Sequence, residues 1–317
     1  MKTLIITLLV ISPVFSWTQI TPSNYENIDF LMTFGKEADA IWGDDDNLQI
    51  HFFVVPKQEK SPVYIRVYDP DTGGKFDTKN GSFNTSCKFS LYAGRGVHST
   101  KAARLTNPAP GYDSGKLIAS ETFGQSAEYD DKWFTFGPLN PSEGEYSDEF
   151  GGYIFKMICK GEKGDDGNAY RYALSYSKNE NIFVEDGNIF TYEMCFKLKK
   201  KATETAHVYP FIKDNILAIT QKNFDADNDL FMRVTSVARK LVPATTSADG
   251  KWSSNKYEIK AKEVNTTIDV QMVKKSNAEN DMVIYILNQY NVAMPLFSVP
   301  IGGKPKYKHN LKVKTNF

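Results

Sequence analysis

Carboxylates are the groups this sequence packs most densely. Among the acidic stretches, GDDDN at 43–47, DPDTGGKFD at 69–77, EYDD at 128–131, GDDGN at 164–168 and DADND at 225–229 each place two or more close together. Neighbouring carboxylates repel, so a fold that gathers them must supply a cation or hydrogen-bond donors. Calcium takes roughly six to eight oxygens and suits acidic side chains at alternating positions beside a glycine that permits a sharp turn. Asp69, Asp71 and Asp77 with Gly73 and Gly74 meet that description, and so do Asp225, Asp227 and Asp229. Neither loop completes an EF-hand, because the twelfth position is Asn80 in the first and Ser236 in the second. Calcium is the expected cofactor, held by Asp69, Asp71 and Asp77 with help from Asp165, Asp166 or Asn168, and by Asp225, Asp227 and Asp229 at a second place. Taken singly, each loop reads first as a turn, since Asp, Asn and Gly cap backbone groups and tolerate positive φ.

The elements that must position these loops are strands. Apolar or alternating runs recur along the chain between Gly, Pro, Asn and Asp clusters: IDFLMTF, LQIHFFVV, VYIRVY, CKFSLY, KLIASETF, WFTFGPL, YIFKMICK, YRYALSYS and IFTYEMCFKL. The pattern predicts an all-β protein. These nine runs predict a jelly-roll-like sandwich over 19–200. After the polar KKKATET at 199–205, seven shorter runs predict a smaller immunoglobulin-like sandwich over 206–317, without the Cys, Trp, Cys pattern of antibody domains. If consecutive strands alternate in direction, the loops carrying Asp44 to Asp46, Asp69 to Asp77, Asp130 with Asp131 and Asp165 with Asp166 emerge at one rim. Trp42, Tyr129 and Trp133 stand in or beside those loops and are candidate platforms for a sugar ring or a peptide side chain, or else core residues.

Nucleophilic and phosphate chemistry find little support. G-x-S-x-G, H-E-x-x-H, the P-loop and the dinucleotide fingerprint are all absent, and the histidines are scattered at 51, 98, 207 and 309. His51 reads as a strand residue, and His98 as a loop residue in a basic patch with Arg95, Lys101 and Arg104. A loop-built carbohydrate-active enzyme is the alternative that such a sequence leaves open, along with an adhesin or accessory subunit of an envelope complex.

Lys2 followed by an apolar run from Leu4 to Phe15 predicts an export signal over 1–18, cleaved after Ser16 or Thr18. The run is shorter than the roughly 18–20 residues that span a bilayer, so the expectation is export without a transmembrane segment, to the periplasm, the cell surface or the medium. Of three cysteines, alternation turns Cys87 and Cys159 inward and Cys195 with Glu193 and Lys197 to a polar face. Lysine plus arginine equals aspartate plus glutamate at 38 each, which argues against a polyanion such as nucleic acid as partner. The sum is an exported, non-catalytic, calcium-stabilised protein that recognises a glycan or a cell-surface protein.

Overall fold

The computed structural model describes residues 19–39 and 47–305. The expected leader at 1–18, Trp42, Asp44 to Asp46 and His309 lie outside the described residues. The regular structure of the described chain is nearly all β, as the periodicity predicts. In the first part these are β1 (Gln19–Thr21), β2 (Phe30–Phe34), β3 (Leu48–Pro56), β4 (Val63–Tyr68), β5 (Ser86–Ala93), β6 (Lys116–Phe123), β7 (Trp133–Leu139), β8 (Glu145–Ser147), β9 (Gly152–Lys163), β10 (Gly167–Ser175), β11 (Asn188–Thr191) and β12 (Glu193–Lys197). The later part adds β13 (Thr205–Val208), β14 (Phe211–Ile212), β15 (Ala218–Phe224), β16 (Leu230–Thr235), β17 (Val242–Ala244), β18 (Trp252–Glu258), β19 (Thr266–Thr267), β20 (Asp269–Lys274), β21 (Asp281–Asn288) and β22 (Leu296–Phe297).

The sheets do not divide at residues 199–205. A nine-stranded sheet runs β18-β15-β21-β12-β2-β10-β4-β7, with β1 also on β10, and so joins strands from both parts of the chain. The reason lies in β12, which hydrogen-bonds β2 along one edge and β21 along the other, with Phe196 opposite both Leu31 and Met282. The first part contributes most of a seven-stranded sheet, β22-β11-β3-β9-β5-β6 with β8 on β9, and the later part forms a four-stranded sheet, β13-β20-β16-β17. One apolar core is continuous from Phe53, Phe89, Met157 and Tyr172 to Ile219, Val234, Met272 and Ile284, so the expected separation into 19–200 and 206–317 does not describe how the chain buries its surface.

Both faces of the long strands are covered. In β9, Phe155, Met157 and Cys159 face the main core while Ile154 and Ile158 face outward into a second apolar cluster with Phe52, Phe190 and Phe297. The segment between β5 and β6 lies over that outer face. It explains how Lys156, fully buried on the same face, is tolerated: its ammonium donates to the carbonyls of Tyr112 and Ser114, both at 2.6 Å.

The expected single strand 189–198 is two. The chain leaves the seven-stranded sheet at Thr191 and enters the nine-stranded sheet at Glu193. The supposedly polar face of β12 is therefore inside: Cys195 is buried with Phe30, Met32, Phe224 and Val283. The loop after β4 makes the cover, its Phe76 ring lying 4.5 Å from that of Phe30 and its backbone oxygen accepting from the Lys197 ammonium at 2.8 Å. All three cysteines are buried thiols.

Candidate functional site

The loop of 69–77 and that of 165–168 do meet. Asp77 accepts from the N–H of Ala169 at 2.7 Å, Asn168 donates its amide to Pro70 O, and Thr78 pairs with Gly167. The third loop joins them, with Asp69 Oδ1 accepting from Asp131 N at 2.8 Å and Asp71 Oδ2 from Tyr129 N at 2.7 Å. Many of these carboxylate oxygens accept from backbone donors. Asp166, fully buried, takes the N–H groups of Asn80, Asn84 and Thr85, and Asp77 takes those of Gly73 and Gly74 as well. Asp165 accepts from the Asn80 amide. Asp69 Oδ2, Asp130 Oδ1, Asp165 Oδ1 and Asn168 Oδ1 are left buried without a donor. Burial, with Asp130 and Asp131 nearby, pushes Asp69 up to about 6 against the N–H it accepts. Burial likewise pushes Asp77 up to about 7.

At the second place the partners differ from the expected set. Asp225 and Asp227 are joined by Asp249, and an oxygen from each lies within 4.8 Å of the others, the one such group of three among the described residues. Asp229 has turned away to the buried ammonium of Lys274. Asp225 Oδ1 accepts from Gly250 N at 2.8 Å. Burial, reinforced by Asp227, Asp281 and Asp249, pushes Asp225 up to about 7.

Of the rim aromatics Tyr129 and Trp133 are described, and both are half-buried. Tyr129 lies edge-on to Phe123 and Phe134 at 5.8 and 5.3 Å, beside a shallow acidic hollow of about 350 Å³ that includes Asp71, Glu121 and Glu128. Trp133 points the other way, against Tyr68 at 5.3 Å and under the Arg66 guanidinium at 5.0 Å.

A larger cavity, of about 620 Å³, lies on the outer face of the seven-stranded sheet, and no sequence feature singled it out. Val54, Tyr192 and Phe297 belong to its floor, while Phe150, Phe211, Ile216 and Met294 come from loops and from the later part of the chain. Phe150 stacks on Phe190 at 4.5 Å with the rings 5° from parallel, which fixes the wall. Such a volume, with a lining part apolar and part polar, suits a small ligand.

Arg104 is the distinctive polar group there. It closes the short 3-10 turn Lys101–Arg104 and lines the cavity, its Nε is buried without a partner, and it is in no ion pair among the described residues. Its charge is felt by Tyr192, whose hydroxyl is 2.8 Å from His98 Nε2. Burial, followed by the Arg104 charge, pushes His98 down to about 4, so the imidazole is neutral. The His98 loop is fixed from outside by Glu145, which accepts from the N–H groups of Gly96, His98 and Ser99. At the mouth Glu149 is committed to Lys213, and Asp148 accepts from the Tyr146 hydroxyl.

No protein-family model matches the chain, and no curated protein matches it either.

Among the described residues the imidazoles offer no nucleophile pair. His51 is buried with neither ring nitrogen hydrogen-bonded, and His207 contacts Asp269 at 2.8 Å with its ring parallel to Tyr209. No serine or cysteine side chain shares a hydrogen bond with a histidine ring in the described hydrogen-bond network. The sequence signal that pointed nearest to the cavity was the basic patch around His98, because Arg104 belongs to it. The aromatic floor was hidden, since Phe150, Phe190 and Phe297 are far apart in the chain.

Proposed function

We propose that this chain is a non-catalytic binding protein, working outside the cytoplasm, that takes a small organic anion into the cavity beside Arg104. The ligand class is one acidic group on a ring or apolar body, which includes acidic sugars. The observation that carries the reading is a half-buried guanidinium without a carboxylate partner in the wall of a cavity lined by aromatic and aliphatic side chains together with Asp148, Glu149, Asp186 and Lys213. An unneutralised charge counts for more beside a low-dielectric wall than the exposed carboxylates of Asp148 and Asp186 do at the water-filled mouth. Arg also presents a planar fork that matches a carboxylate or sulfonate.

Two fluorescent probes of similar shape test it. Anilinonaphthalene sulfonate carries a ring body and an anion, and N-phenylnaphthylamine carries the ring body alone. Both are expected to bind the wild-type protein saturably. Arg104→Met is expected to weaken the sulfonate at least tenfold and to leave the neutral probe within about twofold, a loss of about 1.4 kcal/mol or more for the charged contact. Equal binding of the sulfonate by Arg104→Met, or binding of neither probe, would refute the reading.

A lyase acting on acidic polysaccharide has one observation in its favour, the convergence of His98, Tyr192 and Arg104. Against it stand a neutral, buried imidazole held by Tyr192 and a tyrosine whose hydroxyl burial pushes well above its ordinary range. Release of unsaturated sugar from polyuronate by wild type, abolished in His98→Ala, would reverse that preference.

A further inference from the structure

The acidic group on the later part of the chain has a different character from the cavity and does not depend on it. Asp225 and Asp227 belong to the turn after β15, and Asp249 to the turn before β18. Those turns lie side by side because β15 and β18 pair as far as Phe224 with Trp252, and the N–H of Asp225 reaches Lys251 O. Three carboxylate oxygens are thereby brought within 4.8 Å of one another. The nearby ammonium groups are otherwise engaged, Lys274 by Asp229 and Lys197 by Glu279 and Phe76 O.

Acidic residues gathered in turns are common without an ion. Here three carboxylate oxygens within 4.8 Å of one another are accompanied by a second set of oxygen atoms. Asn280, 5% exposed, donates its Nδ2 to Ala226 O at 3.3 Å, between the two aspartates of the turn, and its Oδ1 is buried without a donor. The Ala226 carbonyl can only accept, so it fixes which end of the amide faces it and leaves the oxygen as the orphan. Asp281, the next residue, has a buried Oδ2 that also lacks a donor, and its charge is felt by Asp225 and Asp227. Buried acceptors without donors are costly and uncommon in folded proteins, and a cation satisfies several at once.

We propose that Asp225, Asp227 and Asp249 bind a calcium ion, with Asn280 Oδ1 and Asp281 supplying further oxygens. The donor set is all oxygen, which selects a hard cation over zinc or copper. Ligands drawn from three chain segments at irregular spacing suit calcium, which accepts variable geometry, better than magnesium, which demands near-octahedral order. The ion would tie the β15–β18 end to the start of β21, where Asp281 pairs with Lys197 of β12, and so would brace the place at which the later strands join the nine-stranded sheet.

Trp252 gives the site a reporter, because its ring packs 5.0 Å from that of Phe224, the neighbour of Asp225. Terbium added to the full-length protein is expected to luminesce when tryptophan is excited, and calcium is expected to quench that signal by displacement. Asp227→Asn combined with Asp249→Asn, both exposed positions, is expected to abolish the signal and lower calcium affinity at least a hundredfold by calorimetry. Asp229→Asn is expected to keep calcium affinity within about threefold, since its carboxylate serves Lys274. Trp252→Phe is expected to lose the luminescence while still binding calcium. No calcium heat from the folded wild type, or unchanged binding in the double variant, would overturn the site; equal losses in Asp229→Asn and the double variant would overturn its membership.

Discussion

The two acidic regions have the same look in sequence and opposite fates in the fold. Around 69–77 the carboxylates become staples: Asp166 and Asp77 between them accept six backbone N–H groups, which pins the loop over β12 and β10. Around 225–229 the aspartates find fewer donors. Asp225 has one from Gly250, Asp229 takes a lysine, and the remaining oxygens look at each other. The difference is one of donor supply. The first loop is long and glycine-bearing and curls around its own acids, whereas the second is a tight turn with Asp225, Asp227 and Asn228 at φ of 57°, 52° and 54°, which directs side chains together. Clustered acids therefore announce a need for compensation without saying which kind.

The sharpest way to break this comparison is to remove one acid from each region. Asp166→Ala is expected to destabilise the protein by about 3–6 kcal/mol, since the buried N–H of Thr85 and the part-buried ones of Asn80 and Asn84 lose their acceptor at roughly 1–2 kcal/mol each, and calcium should not restore it. Asp227→Asn in chelator is expected to stay within about 1 kcal/mol of wild type or to exceed it, because repulsion is relieved. Urea denaturation with and without chelator measures both. Similar losses in the two variants would mean that both regions are stapled alike.

Much of the architecture was legible because strands with one period-2 face announce themselves: Val63–Tyr68, Lys116–Phe123 and Trp133–Leu139 are strands where the alternation puts them. Pairing was not legible. Alternation gives the faces of a strand but not its neighbours, so nothing in EMCFK said that β12 would carry partners on both edges and fuse two expected sandwiches into one sheet system. The same limit misplaced Cys195, whose polar neighbours Glu193 and Lys197 mark a face that the 69–77 loop covers. Site residues fared unevenly for a related reason. The convergence of three acidic loops followed from strand direction, but Asp249 in place of Asp229 depends on the register of β15 with β18. The cavity depends on loops closing over the outside of a sheet, which no local pattern encodes.

A smaller effect calibrates what burial alone does to a carboxylate, without like charges beside it. Glu26, 1% exposed, accepts from Ser23 N at 2.7 Å, and burial raises it from 4.5 to about 7 despite that bond. The folded state thus holds the proton more tightly than the unfolded one. Its contribution to stability is complete below pH 4.5 and is lost as pH rises through about 7. The loss is on the order of 3 kcal/mol, from 1.36 kcal/mol for each pH unit of difference. Glu26→Gln should remove this component of the pH dependence, read as the difference between the two stability profiles from pH 4 to 8. His51 contributes with the opposite sign, because burial lowers it from 6.5 to about 3, so stability is lost as pH falls through that interval. A profile difference for Glu26→Gln that is flat across the window would show that the carboxyl keeps its ordinary affinity for protons.

The smallest expected effect separates repulsion from stapling without changing burial. In calcium-free protein the Asp225, Asp227 and Asp249 group is partly exposed, so its mutual repulsion is open to screening, and the Debye length shrinks from about 30 Å at 0.01 M salt to about 3 Å at 1 M. Raising sodium chloride over that range should stabilise wild type by about 0.5–1 kcal/mol more than it stabilises Asp227→Asn combined with Asp249→Asn, a difference to be read from paired urea titrations. Asp77→Asn should show no such differential, because its oxygens already face N–H groups, whose bonds salt screens little. If salt acts equally on all three proteins, the later acids are not repelling one another, and the contrast in donor supply between the two regions fails at its simplest point.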